Sequence, residues 1–162
     1  AIASRNPHSA MVIGSPKFMG QSIAALRAAG VSQQLFSLSY LPAPALKALA
    51  GAGARGVGIA QTFPNPNGVT SPLQRAFRAA MQRSHPEVKT YTPFHLEGYV
   101  TAQVFSEAAR RARPLTPSGL AEALRRMGEL DLGGFRVDFS KGNEGSQWVD
   151  IGVSTAEGRL LY

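Results

Sequence analysis

The sequence contains no cysteine. That excludes disulfides, thiolate zinc sites and cysteine nucleophiles. No apolar run approaches the ~20 residues that a membrane-spanning helix needs. An initiator Met and a signal peptide are both missing, as expected of a mature product or an excised piece. Charge is sparse: charged residues are 17% and hydrophobic residues 44% of 162 positions, which suits one ordinary domain with a core rather than a disordered chain. Internal repeats and low-complexity segments are also missing. The net charge of +7 raises the question of a nucleic-acid partner. No basic stripe interleaved with aromatics accompanies it, however, and the arginines are scattered over several predicted helices. The densest cluster, Arg110-Arg111-Ala112-Arg113, ends a helix, where cations suit the dipole. Nucleic acid is therefore not the expected partner.

What is present is organised around Ser9 to Tyr40. The apolar burst Ala10–Ile13 has the length of a buried parallel strand. Gly14 allows a sharp exit, Ser15 can cap the following amides, and Pro16 suits a first helical position. Met19, Ile23 and Leu26 line one helix face, and Gly30 stops the helix. Leu35–Leu38 is a second apolar run, so the stretch predicts a βαβ unit with a right-handed crossover. In open sheets of this kind ligands sit beyond the carboxyl ends of the strands, here Gly14-Ser15 and Ser39-Tyr40.

Residues 1–8 read as the tail of a helix or a lead-in loop. Pro42–Ala50 reads as a short helix closed by Gly51, and Gly56–Ala60 as a third strand, completing a β-α-β-α-β order. Gln61–Ser71, crowded with Pro and Asn, reads as a linker. Ser71-Pro72, Thr92-Pro93 and Thr116-Pro117 each open a helix. The apolar contributions are Leu73, Phe77, Ala80 and Met81 in the first. In the second they are Tyr99, Phe105, Ala109 and Ala112, and in the third Leu120, Leu124 and Met127. Val88–Tyr91 is a doubtful strand. Leu130–Phe135 is a glycine-marked break, and Phe135, Val137 and Phe139 then alternate like a half-exposed strand. Trp148–Ser154 and Arg159–Tyr162 are expected as strands around a Glu157-Gly158 turn.

Several pieces then fall in a known order: Asn6-Pro7, Met11-Val-Ile-Gly-Ser15, Leu26-Arg-Ala-Ala-Gly30, Ala54-Arg-Gly-Val-Gly58 and Gln61-Thr-Phe-Pro64. They continue with Leu96-Glu-Gly-Tyr-Val100, Ala121-Glu-Ala-Leu124, Phe135-Arg-Val-Asp-Phe-Ser140, Gly145 and Gly158-Arg-Leu. In that order the chain resembles the C-terminal half of type I periplasmic solute-binding proteins, the branched-chain amino acid receptor group of ABC importers. The resemblance implies an α/β fold, a parallel βαβ sheet with helices on both faces. It implies two lobes that close like a hinge on a small solute. Residues 1–60 and 136–162 would form the second lobe, which is partial. Residues 61–68 and 128–135 would be hinge crossings, and 69–127 the helical C-terminal part of the first lobe. The implied location is periplasmic, or extracellular and membrane-anchored. The implied partners are a small-molecule ligand (an amino acid, amide or small organic acid) and the membrane permease of the importer. The N-terminal half of the family pattern has no counterpart here. The apolar faces carrying Leu73, Phe77, Tyr99, Phe105, Leu120 and Leu124 are therefore expected to be covered by that half, by a second copy of the chain, or by folding back onto the second-lobe sheet.

The family's ligand contacts map onto Ser15 and Ser39. Ser15 is explained equally well by helix capping. Where the family places an acid for the ligand's ammonium group, this chain has Ser39, which cannot neutralise a buried cation. Free α-amino acids are thus expected to bind weakly relative to ligands without an ammonium group. Tyr40 could add an aromatic wall and a hydroxyl. Phe63, at the first crossing, could pack on a solute or in a core. Glu97 could favour the helix N-terminus or face a cleft. His8, His85 and His95 share no metal-ligand spacing, and Asp131 and Asp138 form no acid pair. Ser39 lies in no Gly-x-Ser-x-Gly elbow, and Gly56-Val-Gly-Ile-Ala lacks the helix that a dinucleotide fingerprint requires. No cofactor, metal or catalytic group is expected. A ligand-sensing domain of the same fold is the alternative, and an unrelated small α/β enzyme a more remote one.

Overall fold

The structure, a computed structural model, describes residues 2–5 and 7–162; Ala1, and Asn6 of the Asn6-Pro7 motif, lie outside the described residues. The chain forms two compact units, one made of Ala1–Thr62 and Val149–Tyr162, the other of Phe63–Trp148.

The first unit begins with helix α1 (Ile2–Arg5) and strand β1 (Ser9–Met11). Helix α2 (Pro16–Ala28) starts where Ser15-Pro16 predicts it, with the Ser15 Oγ accepting from the Phe18 amide at 3.4 Å. Strand β2 (Gln34–Leu38), helix α3 (Ala43–Ala50), a 3-10 turn at Gly51–Ala54 and strand β3 (Gly58–Gln61) follow. Strands β1, β2 and β3 are parallel neighbours. The C-terminal strands β6 (Asp150–Ser154) and β7 (Leu160–Leu161) extend the sheet antiparallel, giving the order β1-β2-β3-β6-β7. Met19 and Ile23 of α2 and Leu46 of α3 share one buried cluster with Val12, Leu35 and Ile59, so both helices cover the same sheet face. Within it the Ser37 hydroxyl donates to the Met19 sulfur at 3.1 Å.

The wholly buried strand expected at Ala10–Ile13 is corrected by the structure. Val12 faces the helices, but Met11 and Ile13 point to the opposite face and are exposed. Strand side chains alternate, so a four-residue apolar run is buried throughout only when both faces are covered. That second face carries a register row across all five strands: Met11, Phe36, Gly58, Val153 and Leu161. The Phe36 ring lies where a Cβ on Gly58 would stand, 2.5 Å away.

In the second unit, helices α4 (Pro72–Ser84), α5 (Pro93–Arg111) and α6 (Pro117–Arg126) all begin at the predicted prolines. The glycine-marked break is the turn of a hairpin between β4 (Leu130–Asp131) and β5 (Arg136–Val137). Gly133 holds φ +89°, a Cβ there would stand 2.7 Å from the Leu73 nitrogen, and its carbonyl accepts from that nitrogen at 3.1 Å. The hairpin turn is thereby fastened to the start of α4. The Asp131 carboxylate accepts from the Gly133 and Gly134 amides, each at 2.8 Å. The Gly134 bond above all, then the Gly133 bond, hold its carboxyl below the usual range.

Two further expectations are corrected. Val88–Tyr91 forms no strand; the Asn67 carboxamide satisfies Tyr91 instead, accepting from its amide at 2.9 Å and donating to its carbonyl at 2.8 Å. The helix faces, expected to await a cover, are for the most part closed within the second unit itself. Leu73, Phe77, Leu96, Val100 and Val104 close on Phe135 and Val137 of the hairpin, with Tyr99 and Leu124 packed against the cluster, and Leu120 packs on Ala108, Ala112 and Ala123. Phe105 is the exception at 59% exposure. The inward stripe of α5 runs through Leu96, Val100, Val104 and Ala108, and Phe105 stands off it.

Candidate functional site

The carboxyl edge of the first unit's sheet is set by register. Met11 pairs with Phe36, Leu38 with Ala60, and Gln61 with Asp150. Carried past the last paired residues, the parallel register sets Gly14, Ser39 and Gln61 side by side, with Asp150 beyond Gln61. Four adjacent strands thus present an exposed capping serine (Ser15), a half-buried hydroxyl (Ser39), a carboxamide and a carboxylate along one edge. Tyr40, partly exposed, follows Ser39.

Gln61 belongs to β3 rather than to the linker expected from the sequence, and it is 1% exposed. Its amide nitrogen donates to the Ile59 and Ala60 carbonyls at 3.2 and 3.3 Å, while its oxygen takes no donor. Asp150 is exposed and accepts from the Ile151 amide at 2.8 Å. At the chain's end, the half-exposed Tyr162 has its phenol pushed up to about 12, by burial first and by the Asp150 charge second. Gln61 and Asp150 escape a reading of the sequence because their meeting is an antiparallel register between segments far apart in the chain. The one local signal was a polar residue closing the run Gly56–Ala60.

The remaining sequence-predicted residues lie in the second unit. Phe63 is half-buried and stacks on Phe135 with ring centroids 5.2 Å apart. Glu97 is exposed on α5, and His85 meets Glu87 at 3.2 Å on the surface. Among the described residues no helix is long and apolar enough to cross a membrane.

Residues 1–154 match the family model for periplasmic binding proteins. The chain belongs to the periplasmic binding protein family. A solved extracellular ligand-binding receptor from Verminephrobacter eiseniae is 47% identical, with a TM-score of 0.89 over 99% of this chain and 46% of that one. A substrate-binding periplasmic protein from Ralstonia solanacearum is 28% identical, with a TM-score of 0.79 over 95% of this chain and 45% of its own. A possible leucine/isoleucine/valine-binding protein from Rhodopirellula baltica shares the fold, with a TM-score of 0.83 at 24% identity over 96% of this chain and 43% of that one. No curated protein matches. The chain spans less than half the length of these solved relatives.

Proposed function

We propose that this protein is the extracytoplasmic solute-binding component of an ABC-type importer. In this reading it takes up a small polar ligand by closure of two lobes and hands it to a membrane permease. The two compact units would be parts of those lobes. The observation that carries the reading is the family match over residues 1–154, joined to a sheet whose carboxyl edge presents polar groups from four adjacent strands. Ser15, Ser39, Tyr40, Phe63 and Glu97 serve in this reading as the ligand contacts. A sensory role would use the same ligand chemistry, and a fused output domain in the full-length protein would favour it.

The test is a thermal-shift panel on the native protein, spanning amino acids, amides, aromatic acids and short organic acids. At least one class is expected to raise the melting temperature by several degrees, since ligand at 100 times its Kd adds about 2.7 kcal/mol. A flat response across the panel rejects the receptor reading.

A further inference from the structure

Asn67-Gly68 is the one Asn-Gly pair in the chain; the other asparagines precede proline or glutamate. Glycine after asparagine is the chemically reactive combination. No side chain shields the glycine nitrogen, and the freedom of glycine lets the backbone fold back on the asparagine side chain. Proline has no N–H to give up, and a glutamate side chain crowds the approach. The fold demands both members of the pair. The Asn67 carboxamide clamps Tyr91, accepting from its amide at 2.9 Å and donating to its carbonyl at 2.8 Å. A Cβ at Gly68 would stand 2.7 Å from the carboxamide carbon of Gln74, a side chain that four hydrogen bonds to Thr70, Ser71 and Asn65 keep from moving aside.

A labile pair therefore sits in a loop that meets water: Asn67 is exposed and Gly68 half-buried. In the folded loop its reaction is blocked on both sides. The Gly68 amide donates to the Asn65 carbonyl at 3.1 Å, so its proton is engaged. The Asn67 carboxamide is held on Tyr91, its backbone amide donates to the Asn65 side-chain oxygen at 2.9 Å, and its carbonyl accepts from the Arg78 guanidinium at 3.1 Å. All of these bonds belong to one loop and to what it touches. Opening that loop releases them together, and surface loops open at less than the free energy of global unfolding.

We propose that Asn67-Gly68 is a site of self-modification by deamidation, held in check by the folded loop. When the loop opens, the Gly68 nitrogen gives its proton to solvent base and attacks the side-chain carbonyl carbon of Asn67. The carboxamide C–N bond breaks, ammonia leaves with a proton from water, and a succinimide ring remains. Water then opens the ring. Cleavage at the side-chain carbonyl leaves aspartate; cleavage at the backbone carbonyl leaves isoaspartate, with the chain running through the former side chain. Neither product restores the clamp. Aspartate keeps the acceptor for the Tyr91 amide but sets a carboxylate oxygen against the Tyr91 carbonyl, two acceptors with no donor between them. Isoaspartate lengthens the backbone and moves Gly68 off its seat on Gln74.

The test follows residue 67 by peptide mapping and mass spectrometry while the protein is held at mildly alkaline pH, once in buffer and once in urea. Aspartate and isoaspartate are expected to accumulate at 67 in urea, and at least tenfold more slowly in buffer, where the chain reacts only through the opened loop. Asn67→Asp supplies the main product directly. It should lower the melting temperature by several degrees, and that deficit should shrink as pH falls and the acid regains a donor for the Tyr91 carbonyl. An intact asparagine after long exposure in urea overturns the site. Equal rates in buffer and urea overturn the protection by the loop. An Asn67→Asp variant as stable as the parent, or a deficit that does not shrink in acid, shows that the product restores the clamp or that the clamp does not matter, and overturns the proposal as well.

Discussion

Phe135→Ala will lower the stability of the second unit by about 3–5 kcal/mol, the range for emptying an aromatic side chain from a packed core. Phe135 is 2% exposed, stacks on Phe63 with ring centroids 5.2 Å apart and meets Trp148 edge-on at 6.3 Å. It also bridges the hairpin to helices α4 and α5 through Phe77, Leu96 and Val100. Removing it leaves a cavity walled by three separate elements that cannot all move inward. Trp148 is the chain's single tryptophan, so its fluorescence in a urea titration reads this core directly. A loss below about 1 kcal/mol would mean that the core collapses around the gap. Amide exchange at Leu35 and Ile59, in the first unit's own cluster, should stay unchanged.

The second large effect belongs to Gln74, a polar residue 6% exposed at the start of α4. Its carboxamide oxygen accepts from the Thr70 amide at 3.1 Å, the Thr70 hydroxyl at 2.9 Å and the Ser71 amide at 3.0 Å. Its nitrogen donates to the Asn65 carbonyl at 2.8 Å, and the Ser71 hydroxyl oxygen accepts from the Gln74 backbone amide at 3.1 Å. One side chain thus completes a capping box and fastens the loop that enters the unit. Gln74→Leu keeps the volume and strands these partners, so it should cost about 2–3 kcal/mol in denaturant unfolding. Gln74→Glu separates the two halves of the role. It keeps the acceptor for the cap but sets a carboxylate oxygen against the Asn65 carbonyl. Its deficit should therefore shrink as pH falls and the acid regains a donor. A leucine variant as stable as the parent would remove Gln74 from the account of this loop.

Starts of helices were the most legible features in the sequence. Ser15-Pro16, Ser71-Pro72, Thr92-Pro93 and Thr116-Pro117 each combine a capping side chain with a residue that needs no N–H donor, and each opens a helix at its proline. The strands were legible as strands but not as faces. Nothing local in Ala10–Ile13 tells that only one side of the sheet is covered, so Met11 and Ile13 read as core. Phe105 failed for a related reason: α5 is apolar on much of its circumference, and the partner hairpin selects Leu96, Val100 and Val104. At the candidate site, the strand ends at Ser15 and Ser39 followed from local pattern. The Gln61–Asp150 pairing did not, because it depends on which edge of β3 the returning strand takes.

The lopsided placement of acids has a further consequence, for behaviour in acid. Of the ten carboxylates, two lie in the first unit and eight in the second. In the second, Glu87, Asp131 and Asp138 are held below their ordinary values chiefly by hydrogen bonds. A carboxyl depressed by folding contributes stability above its unfolded value, and that contribution disappears as pH falls through the folded value. Below about pH 4 the second unit therefore loses support while its own arginines lose their counter-charges. The first unit holds one such group, Glu157, kept low chiefly by the Thr155 hydroxyl, while its helices and parallel strands rest on apolar contacts. Acid is therefore expected to loosen the second unit, with three such carboxylates, more than the first, with one, which amide exchange followed at falling pH would show.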